Sequence, residues 1–438
     1  MRRIIRSASV LVAALALAGC WPVPGQNADR TGHNAVESGL TPANVGELTQ
    51  AWATGTGSGA ASDPVVSRAG VHVVVDGCSI RTHHPATGET VWSQNRPYPL
   101  LGLGCDPIVQ FSPPFVVGER VIWGQRHEVR SPMPRCAPNE GMTTFSGNSF
   151  QHDVASGATP SEPAPPGAIV AAVRDDTAVA TSARVFYSNP EIPQCPTAWF
   201  SNRVITVGSL SDPAARRTFD TGGGTLPTLG VDAVYQAGSG TLAIPPSDPV
   251  WVEAVWAYSV TESRPGCGTD TRGDECPLWA TPIDGIAQPV VIAPGQRTLY
   301  TGTGAGTIYA LDATTGTVQW SASVGAAVSA SPALADGILY VPTADGRLVA
   351  LDTAGTRLWE ASTGARIGVQ PAVAGGVVYT GSDDGSVDAF DAAGCGAPTC
   401  PALWAAETGS RITGAPAVSG GQLYVGTADG RLVAYARS

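Results

Sequence analysis

Apolar runs of five or six residues, each closed by a glycine turn, recur along the C-terminal third of the chain: ILYVPT (338–343), RLVALD (347–352) and VVYTGS (377–382). Little polar alternation interrupts them. Strands buried on both faces are expected where small sheets are sandwiched between neighbours, whereas half-solvated strands alternate. Asp-Gly or a bare Gly at Gly306, Gly346, Gly385 and Gly430 supplies the positive φ that a tight antiparallel turn requires, and an Asp before the Gly is expected to bond its own backbone, which predicts hairpins.

The runs are copies of one unit. Ala310, Ala350, Ala389 and Ala434 mark equivalent points at intervals of 40, 39 and 45 residues, the longest interval containing the extra Cys395–Cys400 segment. A period near 39 is the signature of a repeat architecture, and it decides the fold before any single residue is interpreted. Within 331–362 the turns separate four strands, SPALAD, ILYVPT, RLVALD and TRLWEAS. Four-stranded sheets stacked radially make a β-propeller. Weaker copies lie upstream: 62–92 forms a first blade, 112–124 opens a second, 183–210 falls in a third, and 233–283 is a degenerate fourth. The expected fold is all-β with eight blades, seven being the alternative if 160–285 holds fewer sheets. The last copy ends at VAYARS without a fourth strand, and LTQAWATG near the N-terminus carries Trp52 where the other copies carry Trp92, Trp320, Trp359 and Trp404. An N-terminal strand is therefore expected to close the ring.

Composition changes the picture in three ways. Gly 53 and Pro 36 suit a turn-rich all-β chain of 438 residues, and charged residues make up only 14%. All 25 basic residues are Arg, which fits a high-GC, actinobacterial genome. Residues 1–19 read as an export signal, with Arg2, Arg3 and Arg6 ahead of an apolar stretch too short to span a bilayer core of about 30 Å. Its ending, Leu17-Ala18-Gly19-Cys20, resembles a bacterial lipobox, which implies acylation of Cys20 (a palmitate-type anchor) and a place on the extracytoplasmic side of the cell membrane. Residues 20–46 read as a tether and lead-in, with Thr41 expected to cap a short helical turn begun by Pro42, and 47–438 as the propeller. Without the signal, 22 Arg face 36 carboxylates, a net of −14, so nucleic acid and anionic lipid are excluded as partners for the body of the protein.

Eight cysteines besides Cys20 predict disulfides in an exported chain. Sequence leaves the pairing open. Blade geometry brings Cys78 towards Cys105 and Cys136 towards Cys195, and places Cys267 with Cys276 and Cys395 with Cys400 in short loops. No Cys/His spacing suits a metal. His83-His84 occupies a turn where other copies have Leu-Asp or Phe-Asp, Asp383-Asp384-Gly385 occupies a hairpin turn, and no GxSxG elbow exists, so no catalytic residue is assigned.

ALDATTGTVQW, with Ala310, Asp312, Gly316 and Trp320, resembles the pyrroloquinoline quinone (PQQ)-type propeller repeat, as do ALDTAGTRLW with Asp352 and Trp359, and the copy with Asp391 and Trp404. In that family the Trp stacks on the neighbouring blade and the Asp ties down a turn. The family's enzymes hold the quinone in the central funnel beneath a disulfide of adjacent cysteines, beside calcium; no Cys-Cys pair and no CxxCH occur here. The resemblance is better with the non-catalytic lipoprotein scaffold of outer-membrane β-barrel assembly. It implies a binding module without cofactor, monomeric within an assembly of envelope proteins. A ligand- or glycan-binding propeller is the alternative, and a PQQ-dependent dehydrogenase a weaker one; Trp123, Trp199, Trp251 and Trp256 lie in degenerate blades and could serve as ligand platforms, but core packing is the preferred reading of them. The departures from the repeat at 125–150, 188–199 and 261–277 are read as loops where a partner would dock.

Overall fold

A computed structural model describes residues 20–55, 59–95, 108–132, 141–160, 169–187, 198–210, 212, 216–220, 224–242, 250–262 and 276–438. Eight antiparallel sheets follow one another in a ring, spanning 65–95, 108–153, 169–220, 228–282, 291–323, 333–362, 372–407 and 417–437, here blades 1 to 8. Blade 6 shows the plan: Ala333–Ala335 innermost, then Ile338–Pro342, Arg347–Asp352 and, outermost, Arg357–Ser362. In blade 2 the innermost position is shared by Ile108–Phe111 and Phe115–Val117, both paired with Arg120–Pro132. The outermost strand of blade 8 is Leu48–Ala53, paired antiparallel with Leu432–Arg437 so that Trp52 lies opposite Ala434. The ring closes between the chain's two ends, and no blade edge is left to pair with another chain there.

Apolar clusters fill the spaces between neighbouring sheets, as the two-sided patterning requires. Between blades 6 and 7, Tyr340, Leu348, Ala350 and Trp359 meet Val373, Val378 and Phe390. The docking tryptophans run round the outside of these seams. Four donate the indole N–H to a carbonyl in the next blade's last turn: Trp52 to Pro85 at 2.7 Å, Trp92 to Val154 at 3.0 Å, Trp279 to Ala313 at 3.1 Å and Trp320 to Thr353 at 2.9 Å. Trp404 faces blade 8, where the chain is interrupted, and donates instead to the Leu48 carbonyl at 2.9 Å. The turn glycine lets the indole lie flat: a Cβ on Gly316 would sit 2.5 Å from a ring carbon of Trp279. Asp312, Asp352 and Asp391 each accept turn amides through one oxygen. In blade 1 the imidazole of His84 accepts the Ala86 amide and fills the same role.

Three local expectations are corrected. The short helix before Leu48 is a 3-10 turn, Val45–Glu47, and it is the Asn44 side chain that accepts the Thr41 amide; Thr41 does not cap. In the second-to-third turns of blades 6 and 8, Thr343 and Thr427, not the aspartates, accept the amides of Arg347 and Arg431. Asp345 and Asp429 pair with those arginines instead. Residues 125–132 and 141–150 are not loop but strand, because the second and third strands of blade 2 continue as one ladder from Arg120↔Asp153 out to Pro132↔Gly141.

Candidate functional site

A propeller has two faces. One carries the turns between first and second strands and between third and outermost strands; the other carries the second-to-third turns and the blade-to-blade loops. The two faces differ sharply here.

The lead-in covers the first face. Its path is fixed by hydrogen bonds to the inner strands, one blade after another. The Trp21 amide and carbonyl pair with Val66 of blade 1, and the Pro22 carbonyl accepts the Val116 amide of blade 2. Arg30 donates to the Ala171 carbonyl of blade 3 at 2.8 Å. Asp29 receives Arg174, which also donates to the Leu229 carbonyl of blade 4, and Gln296 of blade 5. The carbonyls of Asp29, Thr31 and Gly32 then accept amides of Ile292, Leu334 and Val373 in blades 5, 6 and 7. His33–Asn34 adds a parallel strand to the innermost strand of blade 7, and the Asn34 amide reaches the Val418 carbonyl of blade 8 at 3.0 Å. A segment of about fifteen residues thus bonds directly to the inner strands of seven blades, is linked to blade 4 through Arg174, and closes one mouth of the central channel.

Sequence features explain the fit. The lead-in is polar because its partners are the free amides and carbonyls at the ends of the inner strands, which have to be satisfied once buried. It leaves over the first turns of blades 7 and 8, and those turns alone carry two glycines. A Cβ on Gly375, whose φ is +59°, would lie 1.8 Å from the Leu40 carbonyl oxygen, and Gly39 packs directly on Gly421. The first turn of blade 6, which meets the lead-in through the side chains of His33 and Asp336, 3.9 Å apart, has Asp336-Gly337 instead.

The channel behind this plug is polar. Arg30 is half-buried; burial lowers its pKa to about 10, against the pull of Asp63, and its Nε is buried with no partner. Asp63 has its carboxyl raised by burial and accepts the Ala415 amide at 2.8 Å. Gln370 holds the plug through the Arg30 carbonyl at 2.7 Å and the Pro332 carbonyl at 2.8 Å. Among the described residues no group of three His, Cys, Asp or Glu side chains could hold a metal ion. With no adjacent cysteines anywhere in the chain, these residues do not fit a quinone with its calcium.

The second face is crowned on one side. In blades 5 to 8 the second and third strands have five or six residues, whereas they run Arg120–Pro132 with Gly141–Asp153 in blade 2, Thr177–Tyr187 with Ala198–Ser209 in blade 3, and Ala233–Leu242 with Val250–Ser259 in blade 4. At about 3.3 Å per residue the surplus raises these hairpins roughly 15–25 Å above their neighbours. Trp123 and Trp256 are core, as the preferred reading has them: Trp123 is fully buried against Phe150, and Trp256 donates to the Gly238 carbonyl. The side chains of Trp199 and Trp251 lie outside the described residues.

Of the cysteines, Cys395 and Cys400 are bonded to each other. Their loop reaches back to blade 6, where the Glu360 amide donates to the Pro398 carbonyl and the Cys400 amide to the Glu360 carbonyl, covering that strand edge. The altered turn leaves the Trp359 indole N–H buried without the partner its equivalents have. Cys78 and Cys276 are disulfide-bonded. The expectations for Cys105, Cys136, Cys195 and Cys267 lie outside the described residues. Cys20 is a free thiol with its pKa raised by burial.

One buried polar cluster belongs to no sequence motif. Asp388 and its cross-strand partner Thr380 face the seam between blades 6 and 7, where blades 6 and 8 place Val341 with Val349 and Val425 with Val433. Asp388 Oδ2, Thr380 Oγ1 and Ser382 Oγ are buried without partners. Burial, with Asp384 and Glu407 nearby, pushes the Asp388 carboxyl up to about 6.

An eight-sheet ring closed by its own N-terminal strand, with the tryptophan-and-glycine docking at its seams, defines the class as a β-propeller of PQQ-like repeats. The family model described as outer membrane protein assembly factor BamB matches residues 255–395 and 354–438, so the C-terminal blades carry PQQ-like repeats of the kind this model represents. No curated protein matches the sequence. Among solved structures, quinohemoprotein alcohol dehydrogenase from Comamonas testosteroni aligns over 97% of this chain and 82% of its own, at 15% identity and a TM-score of 0.65. BamB from Moraxella catarrhalis aligns over 89% and 97%, at 15% identity and a TM-score of 0.55. The computationally designed Ika8 protein aligns over 88% and 99%, at 13% identity and a TM-score of 0.58. At such identities the likeness establishes the fold, which both enzymes and non-enzymes use.

Proposed function

We propose that the protein is a lipid-anchored, non-catalytic scaffold of the cell envelope that docks a partner protein on the face bearing the long hairpins. The observation that carries this reading is the division of labour between faces: the lead-in fills one mouth of the channel, and three consecutive blades raise their hairpins on the other. The family match supports a role in protein assembly, since the matching model is that of an assembly factor. In this reading residues 1–19 are removed, Cys20 is acylated as the first residue, and residues 20–46 join the anchor to the ring.

The test is affinity purification of the acylated protein from its own membranes after mild crosslinking, alongside a variant in which Gln125 and Asn148, a cross-strand pair, are joined by a two-residue Asn-Gly turn. A crosslinked envelope protein that the shortened variant loses, with its thermal melt unchanged, is the expected result. A bound quinone with stoichiometric calcium refutes the scaffold reading. Retention of Cys20→Ser on membranes refutes the anchor.

A further inference from the structure

Large aliphatic side chains are unevenly exposed. Eight are exposed among the described residues, and seven of them lie on the lead-in face. Val36 stands on the lead-in, Val231 in the first turn of blade 4, and five more sit at the start of the outermost strands in blades 1 and 4 to 7, from Val91 to Leu403. Only Ile286, between blades 4 and 5, belongs to the hairpin face. The five outer positions form an arc at the rim, in register with the docking tryptophans. Single exposed aliphatics are ordinary, but their confinement to one face of a disc is a surface property.

The chain also enters the ring at that face. The Cys20 carbonyl accepts the side-chain amide of Gln26 at 3.1 Å, and Trp21 is clamped to the end of the innermost strand of blade 1. An acyl group on Cys20 therefore leaves from near the centre of the lead-in face, with the aliphatic arc around it. No basic cluster accompanies the arc. Exposed acidic groups such as Asp175, Asp232 and Asp336 outnumber exposed cations there among the described residues, while Asp312, Asp352 and Asp391 are engaged by their own turns.

Building on the anchor of the proposed function, we infer that the lead-in face is a membrane-contacting surface. It lies on an electrically neutral bilayer with the aliphatic arc at headgroup level, and it holds the hairpin face away from the membrane. The central anchor sets which face meets the lipid, and the arc stops the disc from rocking about a single point. The acidic surroundings select zwitterionic over anionic lipid.

The test uses the acylated full chain on phosphatidylcholine vesicles carrying headgroup-level nitroxide quenchers, with a fluorophore at Thr353→Cys on the lead-in face or at Ala305→Cys on the hairpin face; both positions are exposed. The expected result is quenching of the label at 353 and none at 305. The triple variant Val318→Ser/Leu358→Ser/Leu403→Ser should reduce quenching at 353 while vesicle flotation stays complete, and adding phosphatidylglycerol should act in the same direction. Equal quenching at the two positions, quenching at 305 alone, or a triple variant that changes nothing overturns the inference. Failure of the chain to float refutes the anchor itself and is read separately from the labels.

Discussion

Asp388 gives the sharpest quantitative test of the packing. A carboxyl normally titrates near 3.8, and in the seam between blades 6 and 7 it titrates at about 6. The folded chain therefore holds this proton over a range where the unfolded chain has released it. The sign follows: the folded state carries no penalty below about pH 4, loses stability between roughly pH 4 and 6, and bears the full cost above that. The shift corresponds to about 3 kcal/mol, reduced to about 2 by solvent reaching the second face near the Asp384 turn. Replacing the pair by the residues of the flanking blades, Thr380→Val with Asp388→Val, removes the penalty together with two unpartnered buried oxygens. Urea unfolding at pH 4.5 and pH 8 is the assay. The double variant should gain about 2–3 kcal/mol at pH 8 and markedly less at pH 4.5, with the m-value unchanged. An equal gain at both pH values would mean that simple apolar packing, not a buried charge, accounts for it, and a loss at pH 8 would refute the burial argument outright.

Two further outcomes follow from close approaches. Gly375→Ala should cost at least about 2 kcal/mol in urea unfolding and make residues 20–47 protease-sensitive, since its Cβ meets the Leu40 carbonyl; Gly337→Ala, with open space around it, should cost only about 1 kcal/mol of left-handed strain and leave the lead-in protected. Opening the Cys395–Cys400 bridge by Cys395→Ser/Cys400→Ser should lower stability by about 2 kcal/mol and speed hydrogen exchange at the Glu360 amide, which the loop covers, while amides of the Arg347–Asp352 strand keep their protection.

The fold was legible wherever burial imposed a repeat. From 286 onward each blade is sandwiched on both faces, so volume and turn chemistry are constrained at the same positions, and Ala310, Ala350, Ala389 and Ala434 all come out fully buried. The ring closure could be read from Trp52 because the docking site for that indole, the turn at Pro85–Gly88, is itself a repeat feature. The plug was not legible. Its segment satisfies strand ends through backbone groups, which leave little trace in residue identity; the visible trace was on the receiving side, in Gly375-Gly376 and Gly420-Gly421 against Asp336-Gly337. The long hairpins resemble loops in the sequence because QRHEVRSP and GMTTFSGNSF (125–132, 141–150) lack the two-sided apolar signature of strands inside the ring. Asp388 escaped for the opposite reason, since a hairpin next to an Asp-Gly turn already accounts for acidic residues.

Closure by Leu48–Ala53 also imposes an order of events. This strand and the plug before it leave the ribosome well before their partners, which include Val418 and Leu432–Arg437. Until the last blade forms, the N-terminal segment is an unpaired strand, and the growing array of blades is an open arc with a bare edge at its leading end. Completion is thus a single late step of very long sequence separation, the slowest kind of contact to form. Until it occurs the chain carries strand edges able to join other molecules. Tethering the N-terminus at a surface while the remaining blades emerge would keep the closing strand close to the place where the last one arrives, which gives an N-terminal anchor a part in folding as well as in location.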